Sequence, residues 1–280
     1  MCFLFSSSYA QKASNANVVT LDQATIKSYY LFSKTKPGAE LPYRQDTMVL
    51  DLGTKMSRFY DPVRLGRDSL VGAKIKNMMG NPQEIKSIHV YKDDAARDLS
   101  NMPGTISSNS DQGESYQIYK DRLNNHLKII DRVSADGNDF LQEDEIGKLP
   151  WQIENETDTI LGYVCQKAKV SFRGRDYTAW FAVDIPINDG PWKFMGLPGL
   201  ILKVEDSMRL FSFRMIGLQQ LTQPLAITIN EKSAIKSTMA DFEKLKKKQG
   251  GGTQYNNTGG NMIISSVPGV FEYIPMEIQQ

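Results

Sequence analysis

Cysteine and histidine are almost absent from these 280 residues, with two of each. Cys2 lies in a segment read below as removable, which leaves Cys165 alone and excludes an internal disulfide. His89 and His126 are separated by a loop and have no i, i+4 or Cys-x-x-Cys companion, so a zinc site of usual composition cannot be assembled locally. They complete no Ser-His-Asp set, and no serine occupies a G-x-S-x-G turn. An excess of either charge is also lacking: 33 Lys and Arg face 32 Asp and Glu, which removes the field that would draw the chain to nucleic acid or an anionic membrane. No apolar run approaches the roughly 18 residues of a membrane span. The Gly-rich stretch from Gly250 to Gly260 lacks the lysine and helix start of a phosphate cradle. Asp136, Gly137 and Glu143 fall at places five, six and twelve of a calcium loop, but Arg132 stands where its first carboxylate belongs. No cofactor and no metal is expected.

What is present is a strand pattern. Hydrophobic residues make up 40% of the chain, enough to bury a core. Residues 24–32, and the pair 47–52 and 55–60 joined by Gly53-Thr54, carry the β-branched and aromatic content of strands and a hairpin. From Asp68 the sequence predicts an amphipathic helix, with Leu70, Val71, Ile75, Met78 and Met79 toward the core and Gly80 as its cap. Residues 84–92 and 126–133 read as strands, and the acidic run Glu143-Asp144-Glu145 as a solvated turn. In the second half, a two-residue turn at Gly174-Arg175 pairs Phe172 with Tyr177, Val170 with Ala179 and Ala168 with Phe181, all on one apolar face. The same register sets Lys169 opposite Trp180 and Cys165 opposite Asp184, whose carboxylate disfavours a reactive thiolate. A further strand pair places Leu202 opposite Phe211. The expected fold is mostly β: a single curved antiparallel sheet with a few covering helices, among them residues 233–248.

Four regions follow. Residues 1–10 hold a brief apolar run and a Ser8-Tyr9-Ala10 site, which predicts a truncated signal peptide and export to the periplasm or beyond. Residues 11–249 form the β-rich domain. By composition, residues 250–260 read as a flexible linker, and residues 261–280 as a tail that docks as a last strand.

The most distinctive stretch runs from Pro191 to Asp206. Pro198-Gly199 supplies a type II turn before Leu200 opens a strand. Trp192, Phe194 and Leu197 lack alternation partners and are expected to fold over the sheet as a plug, since so apolar an excursion persists only when buried. At Gly196–Ile201 the chain resembles the GLPGLI family of exported Bacteroidetes proteins, and the likeness extends through residues 162–168, 172–181 and 184–194. That resemblance implies an exported envelope protein and no particular reaction. A fainter likeness of pattern links the chain to outer-membrane lipoprotein carrier and sensor sheets, at the level of fold alone.

The leading functional reading is a non-enzymatic envelope protein that binds an apolar ligand or a protein partner. Its candidate surface is Trp192, Phe194 and Leu197, with Trp180 and Lys169 as a cation–aromatic pair on the other face of the hairpin. Its rivals are a hydrolase or transferase built on carboxylates from distant strands, and a structural accessory of an outer-membrane system.

Overall fold

The computed structural model describes residues 17–80, 82–108, 113–134, 137–248, 252–267 and 274–278. The mostly-β, largely antiparallel architecture expected from the alternation is the one observed. The first half supplies β1 (Val19–Lys34), β2 (Arg44–Leu52), β3 (Met56–Tyr60), helix α1 (Pro62–Met79), β4 (Ser87–Tyr91), β5 (Ile106–Ser107), β6 (Gln117–Asp121), β7 (His126–Arg132) and β8 (Asp139–Glu145). The second half supplies β9 (Gln152–Ile160), β10 (Tyr163–Phe172), β11 (Arg175–Ala182), β12 (Leu200–Asp206), β13 (Phe211–Ile229), β14 (Ile235–Lys236), helix α2 (Met239–Lys248), β15 (Gly252–Thr258) and β16 (Asn261–Val267). The main sheet runs β14-β8-β7-β6-β3-β2-β1-β13-β12-β11-β10-β9 and is antiparallel except at β14–β8. It does not close into a barrel.

This sheet is strongly curled. Flat strands sit about 4.8 Å apart, so β8 and β10, nine steps apart in the order, would lie roughly 40 Å from one another. Instead Arg173, in the β10–β11 turn, pairs with Asp144 on β8. The concave face therefore wraps around an interior in which Leu127 and Ile129 of β7 share one core with Phe181 of β11 and Leu202 of β12.

A four-stranded sheet, β4-β16-β15-β5, stands beside the main one and was not foreseen. It corrects the flexible linker expected over 250–260, because residues 252–258 form β15. The glycines and asparagines there suggested a loop, but Asn256 is fully buried and its side chain donates to the Pro103 carbonyl and Thr105 Oγ1. Residues 261–267 add the neighbouring strand. The expected signal segment, residues 1–10, lies outside the described residues.

Helix α1 also differs from expectation. It begins at Pro62, with Asp61 as its N-cap accepting from the Val63 and Arg64 backbone N–H groups. Its buried residues are Arg64, Asp68 and Ile75, whereas Leu70 and Met79 are exposed. An internal Arg64–Asp68 ion pair anchors the helix more than the apolar stripe does.

The β10–β11 hairpin turns at Arg173-Gly174, with φ of 47° and 83°. Positive φ at both central residues is what a type I′ turn requires, and it matches the twist of the flanking strands. The turn sits one residue earlier than expected, so Phe172 pairs with Arg175, Val170 with Tyr177 and Ala168 with Ala179. Moving the turn by one residue shifts the pairing by two, which preserves the faces. Phe172 and Tyr177 consequently still enter the same core. The β12–β13 pairing is corrected in the opposite direction: Val204 faces Phe213, because the connection spans residues 207–210 rather than a tight turn at Asp206-Ser207.

Candidate functional site

Between β11 and β12 the chain leaves the sheet for residues 183–199 and fills the concave face. The φ of Trp192 is 51°, and the Phe194 N–H donates to the Pro191 carbonyl at 3.1 Å, which turns the two rings inward. Trp192 and Phe194 meet edge to face at 5.2 Å, Phe194 meets Tyr177 at 4.7 Å, and Trp151 donates its Nε1–H to the Met195 carbonyl at 2.9 Å. The expected type II turn at Pro198-Gly199 is not the reason for Gly199. That residue lies outside the left-handed region, and a Cβ there would stand 2.1 Å from the Ala182 carbonyl oxygen. The left-handed position is Gly196, with φ of 102°.

This packing relocates the predicted surface. Phe194 and Leu197 are 0% and 1% exposed, so they are core residues in this state and offer no face to a partner. Trp192 is buried as well, but it borders a cavity. On the other face of the hairpin, Lys169 is opposite Thr178, not Trp180, and Lys167 takes the expected place opposite Trp180, 5.9 Å from its ring. Lys169 instead pairs with Glu154 at 2.8 Å, and Lys167 with Glu154 and Glu156 at 3.2 and 2.8 Å. This charged ladder lines β9, the edge strand of the sheet, where charge discourages pairing with another chain. Cys165 faces Ala182, not Asp184, and burial pushes its thiol up to about 11.

The cavity beside Trp192 measures about 80 Å³ and lies between the concave face of β6–β8, the plug, α2 and residues 274–277. Ile118, Ile129, Trp192, Met239, Phe242 and Met276 give it apolar walls. Six of its charged lining residues form three pairs, and Glu243 also lines it. Lys34 meets Glu114 at 2.5 Å, Lys246 meets Asp131 at 2.5 Å, and Lys193 meets Glu277 at 2.5 Å. Lys193, 2% exposed between two aromatic plug residues, also pairs with Asp144 at 2.8 Å. Burial alone would raise the Asp144 carboxyl, but the Lys193 and Arg173 cations hold it below the usual carboxylate value. The acidic run expected as a solvated turn is thus part of β8, with Asp144 turned inward.

Two polar side chains on the cavity wall have no such match. Tyr116 is 7% exposed and Gln142 1%, and neither Tyr116 Oη nor Gln142 Nε2 has a hydrogen-bond partner among the described residues. Burial raises the Tyr116 phenol well above its ordinary range, which keeps its O–H available as a donor. A buried donor without an acceptor carries the full cost of its lost hydration.

The outer wall is a short docked tail. Arg175 donates to the Pro275 and Met276 carbonyls at 2.8 and 3.1 Å, Tyr177 Oη donates to the Met276 carbonyl at 3.1 Å, and the Ile278 N–H donates to the Arg173 carbonyl at 3.0 Å. Arg173 and Lys193 both hold Glu277. None of Tyr116, Gln142, Lys193 or Glu277 was picked out from the sequence. The one available signal was Lys193, a cation set between two aromatic residues in the apolar stretch that opens at Pro191. Among the described residues, no group of three or more His, Cys, Asp and Glu side chains is placed to hold a metal, and no helix is long and apolar enough to cross a membrane.

A family model described as "Protein of unknown function (Porph_ging)" matches residues 172–203, which span the hairpin tip, β11, the plug and the start of β12. The match supports a Bacteroidetes-type family. Comparison with curated proteins finds no match. Among solved structures, PNGF-II in a P21 crystal form is similar at 15% identity and a TM-score of 0.48, and PNGF-II in a C2 form at 14% and 0.47. In both comparisons the alignment covers 84% of this chain, which spans 35% of the PNGF-II chain.

Proposed function

We propose that the chain is an exported, non-enzymatic binding protein of the bacterial envelope, a relative of the GLPGLI proteins, and that the cavity beside Trp192 is its binding site. One observation carries the reading: Tyr116 and Gln142, two residues that line an apolar-sided cavity, keep buried polar atoms without hydrogen-bond partners. A bound molecule would restore those hydrogen bonds. The apolar run and the small-residue site at the amino terminus support export. Three of the four cavity carboxylates, Glu114, Asp131 and Glu277, are each held by a lysine, which makes them poor candidates for a free acid and base. Native mass spectrometry of protein isolated from its own periplasm tests the reading. A retained small molecule is the expected result; a bare polypeptide under gentle conditions, or recovery of the protein only from the cytoplasm, would count against it.

A further inference from the structure

We propose that the cavity recognises an uncharged small molecule that carries a hydrogen-bond acceptor, with Gln142 Nε2 and Tyr116 Oη as the candidate donors; this rests on the binding reading above. Three features of the site lead to this class.

The first is electrostatic. Lys34, Lys193 and Lys246 each already have a carboxylate within 2.8 Å. An anion entering here would have to displace one of those carboxylates, and a cation would have to displace one of the lysines. Breaking one side of a desolvated pair leaves the other charge uncompensated, at a cost a small ligand cannot repay. A neutral molecule disturbs none of the pairs.

The second is the hydrogen-bond inventory. Both unmatched atoms can donate: Gln142 Nε2 carries two N–H groups, and Tyr116 one O–H. Either one is satisfied by an sp² oxygen, whose lone pairs accept an N–H or an O–H. An amide or ketone carbonyl fits this demand. A pure hydrocarbon does not, since it would leave both donors unpaired.

Size is the third constraint. The cavity, about 80 Å³, is smaller than the roughly 150 Å³ of an apolar cavity that takes up benzene. The enclosed part of the ligand is therefore a few heavy atoms, with a short branched alkyl group against Ile129 and Trp192.

An isosteric trio tests the proposal on the full chain: isobutyramide, isobutyrate and isobutylammonium, titrated while the Gln142 side-chain amide is followed by NMR. Isobutyramide is expected to shift that resonance saturably, and its two charged isosteres are not. Tyr116→Phe and Gln142→Met should each weaken isobutyramide about three- to tenfold, the weight of one hydrogen bond. Both variants should melt at or above the wild-type temperature, because each removes a buried group that has no partner. A lowered melting temperature would mean that these groups are engaged structurally and would overturn the assignment. So would equal binding of isobutyramide to wild type and both variants. Saturable binding of a charged isostere with isobutyramide inert would overturn the ligand class and leave the binding reading standing. Silence from all three would overturn the class too, and a ligand-free native mass spectrum would then remove the binding reading as well.

Discussion

Lys193 and Asp144 meet 2.8 Å apart beneath the docked tail, one from the apolar plug and the other from an acidic run on β8. Their contact ties the plug to β8, and Arg173 and Glu277 extend it to the hairpin tip and the tail. Because the Asp144 carboxyl is held below its ordinary value of 3.8, the stability it contributes is complete above that pH and is lost as pH falls through its lower folded-state value. The tail should therefore stay docked at pH 5 and loosen below about pH 4. Hydrogen exchange at the Ile278 N–H, which donates to the Arg173 carbonyl, reads this directly. Asp144→Asn should loosen the tail already at neutral pH and flatten the acid limb; an unchanged exchange profile in that variant would contradict the account.

Gly199 and Gly196 should respond differently to alanine. At Gly199 the new Cβ would collide with the Ala182 backbone carbonyl, which cannot move without parting β11 from β12. At Gly196 there is room, the nearest atom being Trp151 Nε1 at 3.6 Å, and the cost is backbone strain at φ of 102°. Strain of that kind costs about 1–3 kcal/mol. Gly199→Ala should exceed it, as seen in urea unfolding midpoints, and the reverse order would show that the motif is kept for its turn and not for close packing.

What could be read from the sequence divides along the range of the interactions. The β10–β11 faces were legible because strict alternation between Ala168 and Phe181 and a glycine at the turn constrain each other over a few residues. Even there the register was two pairs off, since alternation fixes parity and not which glycine neighbour starts the turn. The burial of Trp192, Phe194 and Leu197 was legible from bulk alone. Strand β15 was not, because Asn256 is satisfied by Pro103 and Thr105, some 150 positions away in the chain. The cavity was invisible for the same reason: Tyr116, Gln142, Trp192 and Met276 lie on four separate segments that only the curl of the sheet brings together. Helix α1 misled because its anchor is an ion pair, and periodicity of apolar residues carries no trace of that.

Cys165 should be inert in the folded protein. Its thiol is fully buried in the core and raised to about 11, with burial as the main cause and Asp158 adding to it. Thiolate is the reactive form, so it stays scarce at pH 8. Iodoacetamide at that pH, followed by peptide mass analysis to separate Cys165 from Cys2, should leave Cys165 unmodified in native protein and label it fully in guanidinium. Native-state labelling at Cys165 would show that the hairpin opens readily.

The plug has a second, fully buried lock. Lys120 on β6 pairs with Asp189 at the start of the Asp189-Gly190-Pro191 turn, with both side chains 0% exposed, and Arg122 stands 3.7 Å from the other carboxylate oxygen. Lys120 also donates to the Gly190 carbonyl, and the Ile201 N–H donates to the Asp189 carbonyl, so this one turn is tied to both walls of the curl. Truncating one member of a buried pair strands the other charge, at about 3–5 kcal/mol, whereas replacing both with apolar side chains of similar volume is often neutral. Lys120→Met and Asp189→Leu should each be strongly destabilising by chemical denaturation. The double variant should recover much of that loss, with Arg122, already bonded to the Gly53 and Thr54 carbonyls, left nearer to solvent than the pair it served. If the double variant instead lost the sum of the two single effects, the pair would be holding the plug in position through contacts that no apolar substitute makes, and the turn would owe its geometry to charge rather than to packing.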